Sequence, residues 1–330
     1  MVLIMKKMAT FFEETDGGLI CKLCPRNCFL KENQTGFCRV RKNKNGVLYT
    51  LNYGEISAIA MDPIEKKPLY HFKPKDKVFS IGMWGCNFRC NFCQNWEISQ
   101  SIPSVKNVTP LQVVEMAKNS NSNGIAFTYN EPIVGYEFVL DTSRISHKEG
   151  LYNVLVTNGY IEFEPLGVLI QNVDALNIDL KGPESFYKEF GGSYNHILKV
   201  IEFVKSKNIH VEITILVIPG KNDNEEELSK IFEDISKINR DIPLHLTRYF
   251  PAYKYEIPPT PIKKLESLYY IAKEFLNFVY LGNVFDKKFE TTFCPDCYTE
   301  LIVREGYNVE IKNLTEGGKC KVCGREVVVI

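Results

Sequence analysis

A chain of 330 residues is long enough to bury a barrel-sized core with small appendages. Its 40 lysines and arginines balance 40 aspartates and glutamates, which argues against non-specific nucleic-acid binding and attachment to an anionic membrane, since both draw on a basic excess. The opening Met1–Met8 stretch places its apolar part before its lysines and has no longer apolar core, so it reads as neither signal peptide nor membrane span, and the chain is expected to be soluble and cytoplasmic.

The eleven cysteines fall into three local groups, four near the start, three in the middle and four near the end. In a chain with no secretion signal such clusters read as metal ligands before disulfides. Residues 1–75 form a small leader with little helical periodicity, in which Cys21, Cys24, Cys28 and Cys38 give the spacing C-x2-C-x3-C-x9-C. Four thiolates close around zinc or around an iron–sulfur cluster, and spacing does not choose. The small size of the leader favours zinc, because a short four-cysteine site supplies folding energy that so small a core cannot. The charged segment Asp62-Pro63-Ile64-Glu65-Lys66-Lys67-Pro68-Leu69-Tyr70-His71-Phe72 reads, on composition, as a proline-bounded surface connection.

From residue 76 to 288 strands alternate with helices. Val78–Met83 is a short apolar run that delivers Gly85-Cys86-Asn87-Phe88-Arg89-Cys90-Asn91-Phe92-Cys93, a C-x3-C-x2-C loop. A cubane iron–sulfur cluster takes four soft ligands, so three on one loop leave an iron open, and an open position is what metal chemistry needs. Thr109 and Pro110 open a helix with Val113, Val114 and Ala117 on its apolar face. Further strands are expected over Gly124–Tyr129, Asn153–Thr157, Ala175–Leu180, Val211–Ile218, Leu244–Tyr249 and Phe278–Leu281, with helices near 134–148, 183–206, 224–238 and 261–276. This alternation implies an α/β fold with a parallel sheet, either a closed or partly closed barrel or an open, doubly wound one. Polar or glycine-bearing motifs follow the strands: Thr128–Pro132, Thr157–Gly159, Asp179–Gly182, Ile218–Gly220 and His245–Arg248. Ligands bind at the carboxyl ends of parallel strands, so these groups and the cysteine loop are expected on one face.

Residues 289–330 carry two C-x2-C knuckles, Cys294/Cys297 and Cys320/Cys323, around strand-like segments at Leu301–Val303 and Val309–Ile311. Their spacing reads as a closed structural site, zinc-ribbon-like or rubredoxin-like, holding zinc or iron.

The loop of Cys86, Cys90, Phe92 and Cys93 resembles the C-x3-C-x-aromatic-C signature of radical S-adenosylmethionine (radical SAM) enzymes. Within them the chain is similar to the branch of pyruvate formate-lyase activating enzyme, and in that branch to the AmmeMemoRadiSam system radical SAM enzyme. The motifs carrying that likeness are Cys-Pro-Arg-Asn-Cys at 24–28, Asp62–Phe72 and Cys-Gln-Asn-Trp-Glu-Ile-Ser-Gln at 93–100. The resemblance implies a partial (β/α)6 TIM-like barrel and a 4Fe–4S cluster on Cys86, Cys90 and Cys93 with S-adenosylmethionine on its open iron. It implies reductive cleavage to methionine and a 5′-deoxyadenosyl radical that takes hydrogen from a protein or small-molecule substrate. An electron donor such as ferredoxin or flavodoxin is implied as well.

Residue by residue, the resemblance sets Phe92 and Asn95 near the cofactor. The family's usual Gly-Gly-Glu is replaced by Tyr129, Asn130 and Glu131, of which Glu131 can still meet the cofactor's ammonium. Asn158, Asp179 and Lys181 stand where relatives hold the ribose and the carboxylate, Ile218 and Pro219 resemble the adenine shelf, and His245 resembles the histidine on the last cofactor-facing strand. Two other classes compete: a non-catalytic, zinc-stapled binding module, possibly for RNA, and an iron–sulfur electron-transfer protein. The neutral charge and lack of a basic aromatic-rich patch speak against the first, and binding of S-adenosylmethionine would exclude the second.

Overall fold

The computed structural model describes residues 7–284 and 286–330; most of the Met1–Met8 stretch lies outside them. Among the described residues no helix is long and apolar enough to cross a membrane. The described chain forms two compact units, one of residues up to Asp62 with Lys77–Asp174, the other of Pro63–Asp76 with Ala175–Ile330.

In the first unit the leader is built from antiparallel hairpins. Phe12–Thr15, Gly18–Cys21 and Phe29–Leu30 make one small sheet, and Lys7–Met8, Val47–Thr50 and Arg41–Lys44 make another. The strands Lys77–Gly82, Gly124–Phe127 and Tyr152–Thr157 then run parallel, with Ala58–Pro63 beside the first of them. Their near-continuous burial is that of strands covered on both faces. The Pro110–Asn119 helix opens with the expected cap, and the cap is a full box: Thr109 Oγ1 accepts from Gln112 N at 3.2 Å while Gln112 Oε1 accepts from Thr109 N at 2.8 Å. Thr109→Ala should therefore lower unfolding free energy by about 1 kcal/mol with an unchanged denaturant m-value. A loss below the error of a urea titration would mean that the box contributes nothing here.

The second unit has its own parallel set, Ala175–Asp179, His210–Val217, Leu244–Arg248 and Val279–Gly282, in that order. Helix Glu225–Ile238 shows why these elements form: Asn224 caps it, three glutamates fill its first turn, and Leu228, Ile231, Phe232 and Ile235 bury one stripe. The single helix expected over 183–206 is broken. Gly191 adopts φ +72°, which ends the short Glu184–Phe190 turns, and Ser193 caps a new helix, Tyr194–Ser206.

The segment after Asp62 departs most from expectation. It is no surface connection: Ile64, Glu65, Lys67, Leu69, Tyr70, His71 and Phe72 are all buried. Charged side chains of the second unit hold it, and Arg304 Nε lies 3.9 Å from Glu65 Oε1. Arg304 donates Nη2 to Tyr70 O at 2.7 Å and lies over the Tyr70 ring at 4.2 Å, and Glu212 accepts from the Tyr70 and His71 amides at 3.0 and 2.7 Å. Proline and lysine spacing reported composition; these partners lie far along the chain, where no local pattern reaches.

The tail pairs Glu300–Glu305 with Asn308–Ile311 around Gly306, and Thr292–Phe293 adds a third strand. Cys294 and Cys320 are buried with Leu301, Ile302, Leu314 and Val328 in a small core of their own.

Candidate functional site

The Lys77–Gly82 strand ends in Met83 and Trp84 and hands the chain to the cysteine loop. Gly85 makes the turn possible. Its φ is +89°, and a Cβ there would stand 2.5 Å from Val40 and 2.9 Å from the Cys38 carbonyl, so only glycine lets the loop press against the leader. Cys90 is buried, Cys86 and Cys93 are half-buried, and none of the three is in a disulfide. Phe88 N donates to Cys86 Sγ at 3.3 Å, and Cys93 Sγ lies 3.0 Å from Ser99 Oγ. Burial, reinforced by the nearby Glu131 charge, pushes the Cys86 thiol well above its ordinary pKa.

The Tyr129-Asn130-Glu131 substitution has a structural account. Tyr129 takes φ +70°, a region glycine enters freely, and is held there by its hydroxyl donating to Asp62 at 2.5 Å. Asn130 ties down the cysteine loop: Oδ1 accepts from Met83 N at 2.9 Å and Nδ2 donates to Gly85 O at 3.0 Å. Glu131 is buried with both oxygens engaged, Oε1 accepting from Thr157 Oγ1 at 2.7 Å and Ile133 N at 3.1 Å, Oε2 from Asn158 N at 2.8 Å. Asn158 continues the line. Its Nδ2 donates to Asn87 Oδ1 at 2.7 Å and lies 3.8 Å from Cys86 Sγ. The strand ends of Glu131 and Asn158 thus meet the cysteine loop, as expected from parallel topology. Phe92 is buried between the second and third cysteines, whereas Asn95 is exposed at the start of the short Trp96–Ser99 helix.

Sequence reasoning passed over the arginines of the first unit. Arg39 donates Nη2 to Ser99 O at 3.0 Å and Nη1 to Gln100 O, closing the end of that short helix. Arg26 donates to Asn87 O at 2.5 Å, Arg89 donates to Phe37 O, and both guanidinium groups cover the Phe37 ring, at 3.6 and 4.4 Å. The Cys-Pro-Arg-Asn-Cys motif contains Arg26, so that signal was present, but its neighbours drew the reading to metal alone.

Within the second unit, Asp179 and Lys181 pair with each other at 2.6 Å just beyond their strand. Ile218 is fully buried, its amide donating to Asn222 Oδ1 at 2.6 Å, and Pro219 is the half-exposed member of that pair. His245 is corrected in position: it is the second residue of Leu244–Arg248, near the strand's start instead of its carboxyl end, and its Nε2 lies 2.7 Å from the buried Glu212 carboxylate. In the tail, the ligand atoms of Cys294, Cys297, Cys320 and Cys323 all lie within 4.8 Å of one another, with Sγ–Sγ separations of 3.4 Å for Cys294–Cys323 and 3.6 Å for Cys297–Cys320. Four thiolates so placed fit a tetrahedral ion.

Residues 81–232 match the radical SAM superfamily. The chain is 45% identical over 331 residues to an uncharacterized protein of Methanocaldococcus jannaschii, MJ0808, covering 98% of this chain and 99% of that one. It is 28% identical over 158 residues to pyruvate formate-lyase 1-activating enzyme of Escherichia coli, covering 45% of this chain and 64% of the enzyme. A crystal structure of a domain of pyruvate formate-lyase-activating enzyme from Bacteroides vulgatus covers 49% of this chain and 100% of that domain, with 20% identity and a TM-score of 0.44.

Proposed function

We propose, for a chain that belongs to the radical SAM superfamily, that Cys86, Cys90 and Cys93 hold a 4Fe–4S cluster whose open iron takes S-adenosylmethionine. The donor set fits: three cysteines on one loop and in no disulfide, a backbone amide aimed at one sulfur, and no fourth cysteine in that group. The protein is a radical SAM enzyme. When bound, the cluster and cofactor supply one-electron cleavage of the sulfonium to methionine and a 5′-deoxyadenosyl radical.

The chain's own residues orient and shield. Asn130 fixes the backbone on both sides of Trp84, and Glu131 stands at the strand end as the carboxylate suited to the cofactor's ammonium. Asn158 offers an amide beside Cys86. Lys181 and Asp179 suit a carboxylate and a ribose diol respectively. The likeness to activating enzymes supports hydrogen abstraction from a protein or small-molecule substrate, with a ferredoxin- or flavodoxin-type donor, and the 62–72 and 93–100 motifs favour the AmmeMemoRadiSam branch. The tail site is structural, zinc or a single iron, because four protein thiolates leave nothing open.

The observation that carries this reading is the superfamily match across a loop with three cysteines and one missing ligand. Anaerobically reconstituted protein with dithionite and S-adenosylmethionine should release 5′-deoxyadenosine. None released, with the cluster verified by its spectrum and candidate substrates present, would refute it.

A further inference from the structure

The leader cysteines face one cavity. Cys21, Cys24, Cys28 and Cys38 line it together with Arg26, Arg41, Asn87 and Val134. Among the described residues only the tail cysteines close to within 4.8 Å of one another. A zinc ion at about 2.3 Å from each thiolate draws its sulfurs together as the tail does, whereas a cubane, larger than a single ion, holds them farther apart. Among the described residues no three of the leader cysteines close to that separation, and neither do Cys86, Cys90 and Cys93.

A second observation concerns Arg41. Its side chain is 2% exposed, with Nη1 donating to Glu137 Oε1 and Thr50 Oγ1, both at 2.8 Å, while Nε and Nη2 have no partner among the protein atoms. Buried N–H groups are rarely left so. Arg41 lines the cysteine cavity, where a cluster offers sulfides as acceptors in addition to four thiolates, together with the negative charge a buried guanidinium needs.

We propose that Cys21, Cys24, Cys28 and Cys38 hold a second iron–sulfur cluster, hydrogen-bonded by Arg41 and set against the loop of the first. Position supports this. Asn87, which borders the cavity, is the residue after Cys86, and Cys38 packs with Trp84 and Val134 beneath that loop. With four protein thiolates such a centre has no open iron, so its chemistry is single-electron transfer: one electron enters from a low-potential donor and one leaves, with no bond broken or proton moved. This reverses the zinc preference drawn from the leader's small size. The leader is not a free-standing domain; it packs into the first unit, so a metal is not its sole source of folding energy.

The test is acid-labile sulfide, because neither zinc nor a rubredoxin-type iron in the tail contributes any. Wild-type protein reconstituted anaerobically should hold about eight sulfides per chain, and Cys90→Ala should keep about four, with a reversible one-electron EPR signal that S-adenosylmethionine leaves unchanged. A Cys90→Ala protein with no sulfide, and zinc in the leader, overturns the proposal while leaving the Cys86 site intact as a reading. Conversely, sulfide lost only in the leader would show itself in Cys24→Ser/Cys28→Ser: its sulfide should fall by about half. A content equal to wild type in that variant also overturns the proposal.

Discussion

Cys90→Ala should eliminate 5′-deoxyadenosine release while the protein stays folded and the tail cysteines still bind metal. The reasoning is one of ligand number: three thiolates are the fewest that hold a cubane while leaving an iron for the cofactor, and two do not keep it. On the proposed function cofactor cleavage is the first chemical step, so the rate should fall to that of the uncatalysed reaction, a loss of about a millionfold or more. The cost to the fold is small, since alanine removes one sulfur from a residue that makes no element of secondary structure. The tail thiols belong to the other unit, so the substitution leaves their capacity for a metal ion untouched. Metal analysis with the product assay checks both halves. Cleavage persisting near the wild-type rate would remove Cys90 from the site, and loss of the tail metal would mean that the substitution had unfolded the chain.

Much of this was legible in the residues because it is local. Strand and helix periods set the parallel elements to within a residue or two of Lys77–Gly82, Tyr152–Thr157 and Leu244–Arg248, and Thr109-Pro110 announced its own cap. The cysteine triad is legible by its spacing as a set of metal ligands one thiolate short of four. What escaped was set by tertiary partners. Gly191 is one residue in an otherwise helical stretch, and its left-handed φ follows from a reversal that no 3.6-residue pattern encodes. His245 was placed by strand-end analogy, but the strand starts only one residue earlier, which leaves its ring inside beside Glu212.

The Asp62–Phe72 segment shows the same limit more sharply. Its charges and prolines suggested solvent, yet Glu65 and Lys67 are buried, and the segment's partners include Arg304, which lies 3.9 Å from Glu65 and more than two hundred positions away along the chain. The motif-level resemblance marked this stretch as distinctive without saying why. The structure supplies the cause: it is an interior strap whose backbone amides are the donors for a buried carboxylate.

That carboxylate and its neighbours make stability acid-sensitive, in a sign and window that can be stated. Glu212 is fully buried and accepts four bonds, from the Tyr70 and His71 amides and from His210 and His245 Nε2 at 2.9 and 2.7 Å. Burial pushes its pKa up, but the bonds and charge of the two histidines outweigh that and hold it well below the usual range. His71 goes the other way. Its Nδ1 must donate to the Val327 carbonyl at 2.8 Å, so Nε2 accepts from Tyr280 Oη at 2.6 Å, and burial pushes the ring down to about 4. The unfolded chain therefore binds His71's proton near pH 6.5 and the folded one only near 4, so the stabilisation is whole above 6.5 and drains away as pH falls toward 4. Glu212's contribution, present above the unfolded carboxylate value, is lost only below it and steepens the decline. Between pH 7.5 and 5.0 the His71 term alone should remove ~2 kcal/mol of unfolding free energy. His71→Asn, which has no proton to gain in this range, should lose that much less over the same interval, whatever its absolute stability, in paired urea titrations. Metal release at low pH is common to both proteins and cancels. Equal pH slopes in the two would show that His71 titrates alike folded and unfolded, and that the strap is held without it.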